Sequence, residues 1–122
     1  AFLSDVKKLL KPGGKLIIQI VNFEYFIKNN INEFPPIKTD NLTFTRKYFF
    51  TKSNDFVIFN TKLLLSDAFE GLESSTELIA LKKNDLEEML KGAGFPVNEF
   101  FAGFSEENYS SDKSGLVAVS HN

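Results

Sequence analysis

The chain has 122 residues, a formal net charge of −2, 43% hydrophobic residues with 14 Phe, and neither Cys nor Trp. That is about one small domain with a modest core, and its near-neutral charge gives no general attraction to nucleic acid or an anionic membrane. Without Cys, disulfides, thiolate nucleophiles and Cys–zinc sites are excluded, and the single His, His121, lies beside the chain end, a poor place for a triad base or a metal ligand. No apolar run approaches the roughly 20 residues that span a bilayer, and the opening residues lack a signal-peptide pattern, so the sequence reads as soluble and cytoplasmic.

Phe2, Leu3, Val6, Leu9 and Leu10 have helical spacing. The pattern is already running at residue 2, so either the helix has lost residues upstream or Ser4 caps it. Pro12, Gly13 and Gly14 end it. Residues 15–22, Lys-Leu-Ile-Ile-Gln-Ile-Val-Asn, are short, continuous and β-branched. They predict a strand buried on both faces, as in a parallel sheet. A short helix follows over 23–30, with Tyr25, Phe26 and Ile27 partly buried, and then a loop over 31–41 around Pro35 and Pro36.

Beyond residue 41 the period changes to two. Leu42, Phe44, Arg46 and Tyr48 point one way, and Thr43, Thr45 and Lys47 the other. The turn composition of 51–54 sends a second strand, 55–65, back antiparallel. Residues 66–74 read as a loop around Gly71, and 76–81 as a third strand. A helix over 85–91, capped by Asn84 with Glu87 as capping-box partner, buries Leu86, Met89, Leu90 and Ala93. Gly92 or Gly94 ends it. Two closing strands, 97–103 and 115–120, flank a polar loop over 105–114.

Three stretches carry a family resemblance: Leu10-Lys-Pro-Gly-Gly-Lys-Leu-Ile-Ile18, Leu86-Glu-Glu-Met-Leu-Lys-Gly-Ala-Gly-Phe95 and Gly115-Leu-Val-Ala-Val-Ser120. In order and spacing they resemble the C-terminal part of a class I S-adenosylmethionine-dependent methyltransferase. The first is similar to the entry into that family's fifth strand, the second to the helix before its sixth, and the third to its antiparallel seventh. The resemblance implies an α/β protein, α+β as a fragment. It would be the C-terminal half of a Rossmann-like sheet, strands five, seven and six, with an inserted antiparallel three-strand lid. The expected organisation is a single domain over 1–122, with its core at 1–30 and 83–122 and the lid at 42–81.

The family's Gly-rich loop and ribose-binding acid, which hold S-adenosylmethionine, have no counterpart in these residues. The implied cofactor therefore belongs to the parent enzyme, and none is expected for this chain alone. Lys11-Pro-Gly-Gly-Lys15 does not replace that loop. A phosphate loop needs G-x-x-x-x-G-K-[ST], whereas Gly14-Lys15 is followed by Leu16. The implied partner is a small-molecule methyl acceptor. Neither nucleic acid nor membrane is expected, and the exposed fifth strand makes a homo-oligomer the expected assembly.

No catalytic residue and no metal site emerge. The substrate candidates are Asn22, Phe23 and Tyr25, at the carboxyl end of the buried strand where open α/β sheets bind ligands, together with Arg46, Tyr48 and Asn60 on the lid. Arg46 suits a carboxylate or phosphate through paired hydrogen bonds; Tyr48 can stack or donate. Each has a plainer reading: Asn22 as a turn residue, Arg46 and Tyr48 as an exposed strand face, Asn60 as part of a polar network. The rival to the enzyme reading is a non-enzymatic binding or dimerisation module.

Overall fold

The computed structural model describes residues 1–66 and 71–122. Its elements follow in the order α1 (Phe2–Leu9), β1 (Lys15–Val21), α2 (Phe23–Lys28), β2 (Ile37–Lys38), β3 (Leu42–Phe50), β4 (Phe56–Leu65), β5 (Leu72–Ile79), α3 (Lys83–Gly92), β6 (Val97–Phe101) and β7 (Gly115–His121). They form two compact units. The split unit is Ala1–Lys28 with Leu81–Asn122, and the inserted unit is Asn29–Ala80. Among the described residues no helix is long and apolar enough to cross a membrane.

The split unit is a three-stranded antiparallel sheet of order β1-β7-β6 under two helices. Its order is the one implied for strands five, seven and six. Alternation explains the central strand: Leu116, Ala118 and Ser120 face one way, opposite Ile20, Ile18 and Leu16 of β1. Against that face α1 supplies Leu3, α3 supplies Leu86 and Leu90, and Phe95 follows α3. Leu90 and Leu116 are fully buried. Each such side chain contributes roughly 1.5–3 kcal/mol by leaving water. The turn into β1 needs its glycines. Gly13 sits at φ +79°, and a Cβ on Gly14 would lie 2.9 Å from the Lys11 carbonyl oxygen. Asn122 locks this turn by donating its side-chain amide to the carbonyls of Leu10 (3.0 Å) and Lys11 (3.2 Å).

Four local expectations change, the simplest being that Met89, expected on the buried stripe of α3, is 51% exposed. Strand β1 is not buried on both faces: it pairs antiparallel with β7, its burial alternates, and Ile17 is 57% exposed. A β-branched run records strand propensity, but coverage of the second face depends on what packs there. Helix α3 starts two residues early, at Lys83, and Asn84 is not its cap. The Asp85 carboxylate accepts from the Lys82 backbone N–H at 3.2 Å, which leaves Glu87 free for ion pairs with Lys83 and Lys91. Ser4 does not start α1; it lies within the first turn and donates to the Ala1 carbonyl.

The inserted unit is a four-stranded antiparallel sheet of order β2-β3-β4-β5, not three strands. The extra strand β2 follows Pro35-Pro36, which are exposed and not in a strand. Strand β5 begins at Leu72 rather than Thr76, because Glu73 and Ser74 find ladder partners in Lys62 and Thr61. Pairing overrides their turn-like composition. Residues 67–70 of the expected loop lie outside the described residues. The turn at 51–54 holds as expected, with Asn54 at φ +59°. Register fixes two faces. Phe44, Arg46, Tyr48 and Phe50 share one with Leu63, Thr61, Phe59 and Val57; Lys47 and Phe49 share the other with Asn60 and Ile58. Val57 and Tyr48 are buried on the first, while Phe49 and Ile58 are exposed on the second.

Candidate functional site

At the carboxyl end of β1 the chain turns through Asn22 into α2. Asn22 is completely buried. Its side-chain amide donates to the backbone carbonyls of Ser110 (3.1 Å) and Lys113 (2.8 Å). Its side-chain oxygen accepts from the Tyr109 hydroxyl at 3.3 Å, and its backbone N–H donates to Ser114 at 3.0 Å. Every donor of the amide is used, which is what a buried Asn requires. The Tyr109 hydroxyl has a single proton, which it shares between the Asn22 side-chain oxygen and the Glu24 carboxylate. Burial first, then the hydrogen bond and charge of Glu24, push the Tyr109 phenol well above the usual tyrosine range. Lys28 pairs with Asp112 at 2.7 Å and holds that carboxyl below its ordinary range. The polar loop expected over 105–114 is thereby tied to the end of β1 at several points. Beside it Gln19, Ile20, Val21, Ser114 and Gly115 line an open groove of about 420 Å³.

The other two candidates here sit on α2. Phe23 is buried, and Tyr25 is half-buried with its ring edge-on to Phe26 at 5.3 Å. Glu24 and Tyr109 escaped the sequence reading. An aromatic residue alone in a polar loop was the one available signal for Tyr109, and nothing in the pattern links it to Glu24.

In the inserted unit, Arg46 and Tyr48 do share a face of β3, and Asn60 lies on the opposite one. The Asn60 side-chain amide donates to Glu73 Oε1 at 3.1 Å and to Ser75 Oγ at 2.8 Å. The Arg46 guanidinium lies 4.7 Å from the Phe34 ring centroid and 5.9 Å from that of Phe44. Its Nε is buried and has no hydrogen-bond partner among the described residues. The Tyr48 ring packs 5.2 Å from Phe34 and 5.4 Å from Phe59. Burial raises the Tyr48 phenol pKa, and the nearby Arg46 cation offsets part of that rise. Phe34 and Phe44 had not been read as site residues; their role depends on strand pairing.

Among the described residues no group of His, Asp and Glu is arranged to hold a metal ion. The one adjacent glycine pair, Gly13-Gly14, shapes the turn at the amino end of β1, the end away from Asn22.

No sequence profile of a protein family matches the chain, and no curated protein sequence is similar to it. Solved structures do match. An S-adenosylmethionine-dependent methyltransferase from Clostridium acetobutylicum superposes with a TM-score of 0.74 and 18% identity, over 98% of this chain and 49% of its own. The fold is similar to about half of an S-adenosylmethionine-dependent methyltransferase. The CcbJ methyltransferase from Streptomyces caelestis gives 0.74 and 15%, over 97% of this chain and 50% of its own. An amino pentose methyltransferase from Micromonospora echinaspora, solved with S-adenosylmethionine bound, gives 0.51 and 12%, over 96% and 48%. The chain thus spans about half the length of the methyltransferases it resembles.

Proposed function

We propose that this chain is the C-terminal, substrate-side portion of a methyltransferase that moves the methyl group of S-adenosylmethionine to N, O or C of a small molecule. The observation that carries the reading is the fold match, which takes in 98% of this chain but 49% of the first methyltransferase. A division of labour follows. Cofactor binding belongs to the other half of such an enzyme, and these residues hold and orient the acceptor. In-line methyl transfer is largely positioning in a site that excludes water, which suits a chain offering packed aromatic faces rather than a triad.

Acceptor contacts fall to two groups. Asn22, Phe23 and Tyr25 stand at the carboxyl end of β1, where Asn22 acts by holding the 105–114 loop that borders the groove. Arg46 and Tyr48 stand on the aromatic face of the inserted sheet. Asn60, on the opposite face, serves a ligand only from that side. An amino pentose methyltransferase among the structural neighbours supports a small-molecule acceptor.

The dimerisation reading draws on one feature. Among the described residues β1 pairs only with β7, so its second edge is open, and Ile17 beside it is exposed. Two copies paired through that edge would cover both. The test has two arms. Titration calorimetry of the 122-residue chain with S-adenosylmethionine should give no heat of binding; a low-micromolar dissociation constant overturns the division of labour. Sedimentation at ~100 μM should show a dimer, and a stable monomer removes the β1-edge association.

A further inference from the structure

We propose that the Arg46 face of the inserted sheet is a binding site for a single carboxylate carried on an apolar body. That this ligand is the methyl acceptor rests on the function proposed above; the site itself does not.

Arg46 is the only arginine in the chain. Phe34 and Phe44 flank its guanidinium within cation–π range. A ring supplies no hydrogen-bond acceptor of carboxylate strength, so these contacts do not serve the guanidinium N–H groups. Its Nε is buried with no partner, and no carboxylate among the described residues pairs with Arg46. A buried N–H in this condition costs free energy until a partner arrives. A small shift of the side chain that opens Nε presents it, with a neighbouring Nη–H, as the fork that matches two carboxylate oxygens. Arg46 as a whole is half-buried, so the side chain stays within reach of a ligand.

Charge selects the anion. Register puts Lys38, Lys47 and Lys62 on the opposite face, opposite Thr43, Asn60 and Thr45 respectively. Lys47 is also paired with Glu33 at 3.1 Å. One positive charge therefore stands on the Arg46 face of these strands. It neutralises a carboxylate and leaves a phosphate monoester dianion half-compensated. The surroundings select the body. Phe34, Phe44 and Phe59, half-buried around the buried Tyr48 ring, make the neighbouring surface aromatic, which favours an apolar or aromatic group over a sugar.

The single arginine makes the test direct, because one Arg Nε–H resonance reports the site. The ¹⁵N-labelled chain is titrated with 3-phenylpropanoate, 3-phenylpropan-1-ol, acetate and 2-phenylethyl phosphate. The expected result is a saturable shift of the Nε–H resonance with 3-phenylpropanoate. The alcohol, which lacks the charge, and acetate, which lacks the body, bind at least 10-fold more weakly. The phosphate is weaker than the carboxylate. Arg46→Lys keeps the charge but loses the fork, and weakens 3-phenylpropanoate at least 10-fold with an unchanged circular dichroism spectrum. In that variant the ligand is followed through its own proton signals.

A flat titration with 3-phenylpropanoate overturns the site. Equal binding of the phosphate overturns the charge argument, and equal binding of the alcohol shows a merely apolar surface. If the carboxylate binds as expected but the whole protein transfers no labelled methyl group to any carboxylate-bearing acceptor, the site stands and its link to methyl transfer falls.

Discussion

Two buried polar groups, one from each unit, stand in opposite conditions, although the split unit also holds two buried oxygens without a partner among the described residues, Asn98 Oδ1 and Ser120 Oγ. In the split unit the buried amide of Asn22 donates to Ser110 and Lys113 and accepts from Tyr109. In the inserted unit Arg46 keeps a buried Nε with no partner among the described residues. A satisfied buried group fixes a structure, and an unmet one costs free energy wherever it stands. Apolar packing separates the two cores. The split unit surrounds Leu90, Phe95 and Leu116 completely, whereas the inserted sheet buries one face and exposes Phe49, Ile58 and Ile79 on the other.

The largest effect expected to test this contrast is Leu90→Ala. Leu90 is fully buried in the core of the split unit, so urea denaturation should show a loss of about 2–5 kcal/mol. Ile79→Ala, at a 67% exposed position of the inserted sheet, should change stability by less than about 0.5 kcal/mol. Similar losses from the two would erase the distinction.

A smaller difference separates the two polar groups. Asn22→Ala leaves the Ser110 and Lys113 carbonyls without their donor and should cost about 1–3 kcal/mol. Arg46→Met removes an N–H that has no partner while keeping the apolar stem against the rings. It should cost less than about 1 kcal/mol by the same measurement. An arginine substitution that proved the more damaging would make Arg46 a structural residue.

Smaller again is the response to alkali. A phenol whose folded pKa stands above its unfolded value of about 10 makes the native state bind its proton more tightly. Stability from that difference is present below pH 10 and is lost as pH rises toward the folded pKa. Tyr109 and Tyr48 are both raised, so the melting temperature should fall above pH 10. Tyr109→Phe should flatten that fall while lowering the melting temperature at neutral pH, since Glu24 and Asn22 lose their donor. A variant as alkali-sensitive as the parent would show that the Tyr109–Glu24 bond does not couple to folding.

Much of the split unit was legible in the sequence because its signals are local. Helical spacing picked out Leu86 and Leu90, the run from Gly115 gave the central strand, and Pro12-Gly13-Gly14 gave the turn. Alternation likewise put Arg46 and Tyr48 on one face. What stayed hidden depends on register or on distant partners. Asn60 falls on the far face only because Lys47 stands opposite it, and that follows from how the turn at 51–54 closes. Asn22 reads as a turn residue until Tyr109 and the carbonyls of Ser110 and Lys113 arrive from the other end of the chain. Strand β2 has two residues and no pattern of its own, and it exists through its pairing with β3.

Connectivity carries a consequence for how the molecule assembles. Strand β1 pairs with β7, joining Lys15 to His121 across almost the entire chain, while β3, β4 and β5 are successive neighbours joined in sequence. Closing a long flexible loop costs entropy that grows with its length, and contacts between near neighbours form first. The inserted meander should therefore zip up early. Its two ends at 29 and 80 then stand at a fixed separation, and the search by which β7 finds β1 is shortened. Pulsed hydrogen exchange during refolding should protect the amides of β3 and β4 before those of β1 and β7; simultaneous protection would mean that the outer sheet needs no such guide. A nick in the 51–54 turn would then delay a sheet to which it does not belong.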